Sequence, residues 1–361
     1  MSGGDDAWVG RVRGLVLGLA LGDSVGRGAV PPAGPLLAGV STQLAAFTIE
    51  GVIRAWVRGE HRGICHPPSV IWHAYCRWAA LQGIETHERH RRWAAGTARW
   101  PDGRLADVPE LRERRGSAPA TVRALNRPEQ GGIERPSTQS RGCHALTRSL
   151  PLAVLSGNVA PDALAEFAQD VAALTHGDPG AYRTTAAAAI LAGRCLTAGS
   201  LADAVASGPG LPRLPEVSEI LDEARTVCAA ARQEPRDRAR LAAIAPDATA
   251  LSALSGGLYV AASWPGPGEA VDPVDPVDAV DALAFAATAP HGQSVAAVTG
   301  ALLGALHGAG VWPDGLLNRL ELGAIMDTLA RDLVAQLTES PSGGAYGRPK
   351  DPTWLTRYPG W

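Results

Sequence analysis

Apolar residues recur along this chain at spacings typical of helices, and runs of residues typical of β-strands are scarce. The small and polar residues at 39–43 are followed by an apolar stripe at Leu44, Phe47, Val52 and Ala55, which predicts a loop that turns into a helix. The chain contains only three Phe and five Tyr, and Ala is abundant. The pattern therefore predicts an all-α fold that is rich in Ala and has many loops.

A first helix is predicted over residues 8–26, where Gly14, Gly18 and Gly22 recur every four positions. Residues four apart lie on the same face of a helix, so these glycines would let another helix approach closely. Further helices are predicted at about 181–196, 214–233, 236–244, 277–288 and 316–337, from amphipathic spacing.

Length and composition set broader limits. The 361 residues allow one large domain or two ordinary ones, and the apolar share of 46% is enough for a sizeable core. A net charge of −3 argues against a nucleic-acid or membrane partner, and no apolar run is long enough to span a bilayer.

The five cysteines are odd in number and lack C-x-x-C spacing, so neither a disulfide framework nor a zinc site is expected and a cytoplasmic location is predicted. Arg11 and Arg13 precede a short apolar run as in a signal peptide, but the absence of a small-residue cleavage site favours a core helix.

Five stretches carry a resemblance to a known family. They are Gly22-Asp23-Ser24-Val25-Gly26, Gly39-Val40-Ser41-Thr42-Gln43, the segment from Arg141 to Leu152, Thr175-His176-Gly177-Asp178-Pro179, and the segment from His291 to Gly308. In this order they resemble the motifs of ADP-ribosylglycohydrolases, the family of the dinitrogenase reductase-activating glycohydrolase. Residues 58–83 resemble the actinobacterial branch of that family, as a structural segment and not as a site.

The resemblance implies both an architecture and a reaction. The expected architecture is a single orthogonal helical bundle over residues 1–340, with the site at its centre and an irregular C-terminal tail at 341–361. The implied family reaction is hydrolysis of an N- or O-glycosidic bond to the anomeric carbon of ADP-ribose. Two magnesium ions position the ribose and the water in that reaction.

The metal-binding motifs of the family are degenerate in this chain. The family reads Thr-Asp-Asp-Thr-Gln where this chain has Gly39, Val40 and Ser41 before Thr42 and Gln43, and it has Asp-Ser-Asp where this chain has His291 to Gln293. Four carboxylates are therefore missing together. Because magnesium prefers hard oxygen ligands that include carboxylates, we predict that the dimagnesium site is absent and that the protein needs no metal or other cofactor.

The matching positions define the predicted site. We predict catalytic roles for His291, His144 and Asp23, because imidazoles titrate near neutral pH and a carboxylate can stabilise an oxocarbenium-like state. An alternative for Asp23 is a local hydrogen-bonding role at the end of the first helix, and Asp178 also fits an ordinary helix start. The predicted substrate-binding residues are Thr42, Gln43, Gly142, Cys143, Arg148, His176, Asp178, Gln293 and Ser294.

Three interpretations of function stay open at this stage. The first is a divergent, metal-independent hydrolase that cleaves a ribosyl bond in a small molecule derived from ADP-ribose or a nucleotide. The second is a catalytically inactive pseudoenzyme that binds ADP-ribose or a nucleotide in the inherited pocket. The third is a scaffold whose pocket is filled. The entry of His144 and His291 into the predicted lining favours the first interpretation.

Overall fold

The computed structural model describes residues 3–28, 33–90, 99–208, 211–264, 276–345 and 347–360. Within these ranges the backbone is helical and contains no β-sheet. Two isolated bridges, one between Leu36 and Leu320 and one between Gly142 and Thr249, are the β-type pairings of the described chain. The predicted all-α fold is confirmed.

The α-helices follow one another in the chain, with the longest connection between α3 and α4. They are α1 (Gly3–Val25), α2 (Val40–Arg62), α3 (Pro67–Leu81), α4 (Pro119–Leu125), α5 (His144–Ser149), α6 (Pro161–Ala173), α7 (Pro179–Cys195), α8 (Leu201–Val205), α9 (Pro215–Gln233), α10 (Arg238–Ile244), α11 (Ala250–Ala262), α12 (Pro276–Ala286), α13 (Gly292–His307), α14 (Asp314–Leu317), α15 (Gly323–Thr338) and α16 (Trp354–Arg357). Short 3-10 segments at Arg104–Asp107, Pro109–Arg112, Leu150–Gly157 and Ala309–Val311 complete the pattern. Among the helices so described, none combines the length and the hydropathy needed to cross a membrane.

Local sequence signals explain several of the helix boundaries. Pro179 is the first residue of α7, where the missing N–H of proline costs no hydrogen bond, and the side chain of Asp178 accepts a hydrogen bond from the Gly180 N–H. The C-terminal end of α2 is followed by Gly63, which adopts a left-handed φ of 68° that suits glycine. Both boundaries therefore follow ordinary capping chemistry, and the helix start considered at Asp178 is present.

The helices α1 and α13 pack against each other along a row of small residues at the centre of the fold. Gly14 faces Gly304, Gly18 faces Gly300, and Gly22 faces Ala296, so the two helices run antiparallel. A Cβ atom at any of these three α1 glycines would lie closer than 3.0 Å to a backbone oxygen of α13. The close helix approach predicted from the four-residue glycine period is present, and it brings the end of α1 next to the start of α13.

Other helices surround this pair and place the remaining motifs around the same point. Helix α2 packs against α3 and α15, while α11 and α12 cover the other side of α13. Helix α5 contacts both α2 and α7. The N-terminal ends of α2, α5 and α13 consequently meet near the C-terminal end of α1.

The C-terminal segment, predicted to be irregular, contains one short helix and packs on the bundle. Trp354 and Tyr358 are 3% and 0% exposed. The Tyr358 hydroxyl donates a hydrogen bond to Asp332 Oδ2 at 2.6 Å, and the Arg357 guanidinium donates to the same carboxylate at 3.0 Å. These contacts attach the segment to α15.

Candidate functional site

A cavity of about 590 Å³ lies where the N-terminal ends of α2, α5 and α13 meet. We call it the central cavity. Its wall contains Gly26, Arg27, Ser41, Pro119, Ala120, Ser140, Gly142, Cys143, His144, His176, Ala248, Pro290, His291, Gly292, Gln293 and Ser294. Residues from all five motif stretches that carried the resemblance therefore share one cavity, although they lie far apart in the sequence.

Three imidazoles line the central cavity. His144 is the first residue of α5, His176 is buried with 1% exposure, and His291 is the exposed residue that precedes α13. The Nδ1 atom of His176 shares a hydrogen bond with Thr175 Oγ1 at 2.7 Å. Nε2, the other ring nitrogen of His176, lies close to Gly142 on the cavity wall.

Burial changes the acid–base behaviour of two of these histidines. Burial lowers the pKa of His176 well below 6.5, and the positive charge of Arg148 lowers it further. Burial also lowers the pKa of His144, with Arg148 acting in the same direction and Asp23 opposing it. Both imidazoles are therefore neutral at pH 7, the form that can accept a proton.

Asp23 lies behind the cavity wall and is fully buried, with 0% exposure. Its Oδ2 atom accepts hydrogen bonds from the Thr42 backbone N–H at 3.0 Å and from the Thr42 hydroxyl at 2.6 Å. Its Oδ1 atom accepts a hydrogen bond from Gln293 Nε2 at 2.8 Å. We call this set of Asp23, Thr42 and Gln293 the Asp23 clamp; it joins the end of α1 to the starts of α2 and α13.

The contacts of Asp23 bear on both roles that the sequence suggested for this carboxylate. Asp23 does not line the central cavity, and its two oxygens already accept three hydrogen bonds. Its partners Thr42 and Gln293 lie 19 and 270 residues away in the chain, so these contacts join separate helices and are not the local contacts considered as the alternative.

Gly39 is packed directly against the Asp23 clamp. A Cβ atom at this position would lie closer than 3.0 Å to both carboxylate oxygens of Asp23 and to Gln293 Nε2. Real Cβ atoms essentially never show such contacts, so a side chain at residue 39 would displace the clamp. The clamp consequently fills the space beside the first position of the degenerate metal-binding motif.

The residues at the motif positions do not fit a pair of magnesium ions. Val40 and Gly39 have no side-chain ligand atom, Ser41 offers a neutral hydroxyl, and Gln293 already donates to Asp23. In the described part of the chain, no group of three or more His, Cys, Asp or Glu residues is arranged to hold a metal ion. Neutral oxygens, together with the Asp23 carboxylate that already accepts three hydrogen bonds, do not supply the ligands that magnesium prefers.

Two further predicted binding residues, Cys143 and Ser294, lie side by side on the wall. The Ser294 hydroxyl donates a hydrogen bond to the His291 carbonyl oxygen at 3.0 Å. Burial raises the pKa of the Cys143 thiol above 9.0. Since the thiolate is the nucleophilic form, this cysteine is a wall residue with a neutral thiol and not an activated nucleophile.

Besides Asp23, four of the predicted substrate-binding residues do not line the central cavity. Thr42 belongs to the Asp23 clamp, and Asp178 caps α7. The Gln43 side chain is fully buried and bonds to Trp78, Gln82 and the backbone oxygen of Glu113. Arg148 is fully buried over the ring of Tyr75, at 4.3 Å from the ring centroid. Gly142, Cys143, His176, Gln293 and Ser294 are the predicted binding residues that do reach the wall.

The structure adds two polar wall residues that the sequence analysis had not selected. Arg27 is exposed at the cavity and donates one hydrogen bond, to the Ala38 carbonyl oxygen at 3.2 Å. Ser41 is 3% exposed, and its oxygen accepts a hydrogen bond from the Thr147 hydroxyl at 3.0 Å. Arg27 directly follows one of the five motif stretches and Ser41 is the third position of another, and these positions are the signal that could have identified them.

The charges near the central cavity favour an anionic ligand. Arg148 is a buried cation with no carboxylate within 4.0 Å among the described residues, and its guanidinium hydrogen-bonds Thr121 and the Val171 carbonyl oxygen. Arg27 adds a second cation at the wall, whereas Asp23 is the neighbouring anion. Helix α13, with 16 residues, also directs its N-terminal end at the cavity, where the helix dipole favours negative charge.

The fold and the shared cavity are those of a glycohydrolase-type helical bundle. The family model for ADP-ribosylglycohydrolase matches residues 5–342, so the chain belongs to the ADP-ribosylglycohydrolase family. A solved structure described as an "ADP-ribosylglycohydrolase-related protein complex" is similar in fold, with a TM-score of 0.52 and 20% sequence identity; the match covers 92% of this chain and 100% of that one. No curated protein matches the chain in sequence.

Proposed function

We propose that this protein cleaves the ribosyl N-glycosidic bond of a small molecule derived from ADP-ribose or a nucleotide, and that it does so without magnesium. The observation that supports this proposal most directly is the presence of three imidazoles on the wall of the central cavity, one of which, His291, stands where the family motif has a metal-binding acid. A histidine can transfer protons near neutral pH without a metal ion.

The proposed reaction assigns separate tasks to the histidines. Water attacks the anomeric carbon while the bond from that carbon to the leaving nitrogen breaks. A neutral imidazole, His144 or His176, accepts the proton that the water loses. His291 donates a proton to the leaving nitrogen, so the products are a free sugar hydroxyl and a neutral amine or base. General acid–base catalysis of this kind contributes roughly a hundred- to ten-thousand-fold to a rate.

The proposed ligand carries at least one phosphate. Arg27 lies on the wall, Arg148 lies behind it, and the N-terminal end of α13 faces the same space. A guanidinium and free helix N–H groups both favour phosphate oxygens. An ADP-ribosyl or nucleotide group would therefore match the cavity better than an uncharged nucleoside does.

A metal-free binding measurement tests the proposal. We expect calorimetry to show that ADP-ribose binds with the same affinity in EDTA and in millimolar magnesium, because the wall offers no magnesium ligand set. The direct magnesium titration should show no tight site. Adenine release from AMP, followed in EDTA, measures cleavage of an N-glycosidic bond whose leaving base takes up a proton, in the same samples.

Different results would contradict different parts of the proposal. Two tight magnesium sites, or ADP-ribose binding that disappears in EDTA, would contradict metal independence. Absence of binding by ADP-ribose, NAD and nucleotides under both conditions would contradict the assignment of the ligand class.

The pH dependence of turnover provides a second prediction. A catalytic base must be neutral, and burial lowers the pKa of both His144 and His176 below 6.5. The base therefore stays neutral as the pH falls through 6.5 and becomes protonated only at lower pH. We expect kcat to decrease with falling pH only below pH 6.5. Circular dichroism at each pH should confirm that the protein is folded. An acid limb centred above 6.5 would contradict the assignment of either residue as the base.

One observation favours a second candidate function, that of a ligand-binding pseudoenzyme. Asp23 is sealed behind Thr42 and Gln293, so this carboxylate does not face the cavity to stabilise an oxocarbenium-like state. In this case ADP-ribose binds in EDTA, but no N-ribosyl compound is hydrolysed. The same binding and turnover measurements therefore distinguish the two candidates.

A further inference from the structure

A second cavity opens beside the central cavity and shares one wall residue with it. Its volume is about 590 Å³, and its wall contains Arg114, Gly116, Ser117, Pro119, Val122 and Arg123. We call it the arginine groove. Pro119 also lines the central cavity, so a ligand can extend from one space into the other over this residue.

Local backbone geometry fixes this shared boundary. Ala118 is fully buried and adopts a left-handed φ of 36°, which turns the chain into Pro119, the first residue of α4. Before this turn, a Cβ atom at Gly116 would lie 2.9 Å from Val40, so the backbone of the groove packs on the start of α2. Pro119 is therefore held between the central cavity and the arginine groove by packed backbone.

The arginines of this segment have different environments. The Arg115 Nε atom donates a hydrogen bond to Glu321 Oε2 at 3.2 Å, and this ion pair attaches the segment to the chain before α15. Arg114 and Arg123 are exposed, and among the described residues neither has a carboxylate oxygen within 4.0 Å. The groove therefore carries two guanidinium groups whose donors are not used by the rest of the described chain.

A phosphate monoester fits two such guanidinium groups well. It carries a charge of about −1.5 to −2 at neutral pH and three oxygens that accept hydrogen bonds. The planar donors of arginine match phosphate oxygens in pairs. Glu113 and Glu129 are exposed on the same stretch of chain, and these carboxylates would repel a longer acidic chain. The charges thus favour one compact anion over an acidic polypeptide.

We propose that the arginine groove binds a terminal phosphate of the ligand, so that the preferred ligand is an ADP-ribosyl or nucleotide compound with one phosphate more than ADP-ribose has. This inference rests on the proposed function and specifies its ligand. The reacting ribose lies in the central cavity beside His291, and the other end of the ligand extends over Pro119. Its phosphate accepts hydrogen bonds from Arg114 and Arg123, which act as specificity-determining residues away from the bond that breaks.

The test compares ADP-ribose with ADP-ribose 2′-phosphate, which carries the additional phosphate on the ribose of its adenosine, by calorimetry in EDTA. We expect the wild-type protein to bind the phosphorylated compound roughly three- to thirtyfold more tightly, because exposed ion pairs each contribute modestly. The double variant Arg114→Gln/Arg123→Gln should bind the two compounds with affinities within about twofold of each other, since both charges are lost. Its affinity for ADP-ribose should equal that of the wild-type protein.

Two controls accompany this variant. Arg114→Lys/Arg123→Lys keeps both charges but loses the paired donors, so it should keep part of the preference. Arg62→Gln is the matched control and should keep all of it, because Arg62 is exposed at the C-terminal end of α2 whereas the central cavity lies at the N-terminal end. Added salt should reduce the wild-type preference, since exposed charges are screened.

The outcomes separate this inference from the proposed function. Equal wild-type affinities for the two compounds would overturn the terminal-phosphate assignment and leave the proposed function intact. A preference that the glutamine double variant retains, with thermal unfolding showing that it is folded, would assign the phosphate to other residues. Loss of the preference when an oligoglutamate peptide is added would overturn the assignment in favour of an acidic polypeptide. Absence of binding by both compounds would overturn the proposed function and this inference with it.

Discussion

Replacing His291 by alanine is expected to reduce turnover of an N-ribosyl substrate about a hundred- to ten-thousand-fold, the cost of losing a general acid. His291 lies on the wall of the central cavity and is exposed, so it can reach a leaving group without rearrangement. Ligand affinity should fall much less, because the imidazole acts on the proton and not on the bound phosphate. Steady-state kinetics of adenine release from AMP and calorimetry with ADP-ribose measure the two effects separately.

Two further variants complete this experiment. His144→Ala should act on binding as well as turnover, because His144 lies deeper in the wall. His66→Ala is the matched control, since His66 is exposed at the start of α3 and does not line the cavity. If His291→Ala retains full turnover, the proton donor is a different group. If the wild-type protein binds ADP-ribose tightly but turns over no substrate, the pseudoenzyme interpretation replaces the hydrolase.

The largest expected effect on stability comes from Gly18→Ala. The added methyl group would lie closer than 3.0 Å to the Gly300 carbonyl oxygen and to the Trp312 ring. Backbone atoms of α13 cannot move aside as a flexible side chain can, so the two central helices would have to separate. Overpacking of a close-packed core typically costs about 1–3 kcal/mol, and we expect the upper end of this range. Chemical denaturation with urea measures the change in free energy of unfolding.

Gly10→Ala in the same helix is the matched control for this prediction. A Cβ atom at Gly10 would meet no heavy atom within 4 Å. Alanine is the better helix former by about 1 kcal/mol, so this variant should be as stable as the wild-type protein or more stable. If Gly18→Ala and Gly10→Ala show the same change in unfolding free energy, the close approach of α1 and α13 does not contribute to stability as we propose.

Several features of the molecule could be predicted from local sequence. The four-residue period of Gly14, Gly18 and Gly22 predicts a close helix contact, because residues at this spacing share one helix face whatever the surrounding fold. The loss of acids at Gly39, Val40 and His291 is equally visible in the sequence. The motif order supported the family resemblance, which the match over residues 5–342 confirmed.

Side-chain direction within the motifs could not be predicted in this way. Thr42 and Gln43 are neighbours in one motif, yet Thr42 holds Asp23 while Gln43 turns to Trp78 and Gln82 on another face of α2. Both are buried polar residues, so composition and spacing do not separate them. Their partners lie 19 to 70 residues away, and only helix packing decides which of them faces which partner.

The sequence by itself thus determined the helical architecture, the family and the absence of the metal-binding acids. The tertiary structure decided which polar groups face the ligand space: Arg27 and Ser41 line the central cavity, whereas Asp23 and Arg148 lie behind it. The physical reason is that a buried polar group must find a hydrogen-bond partner. Its direction therefore depends on groups brought close by the fold, such as Gln293, which is 270 residues from Asp23 in the chain.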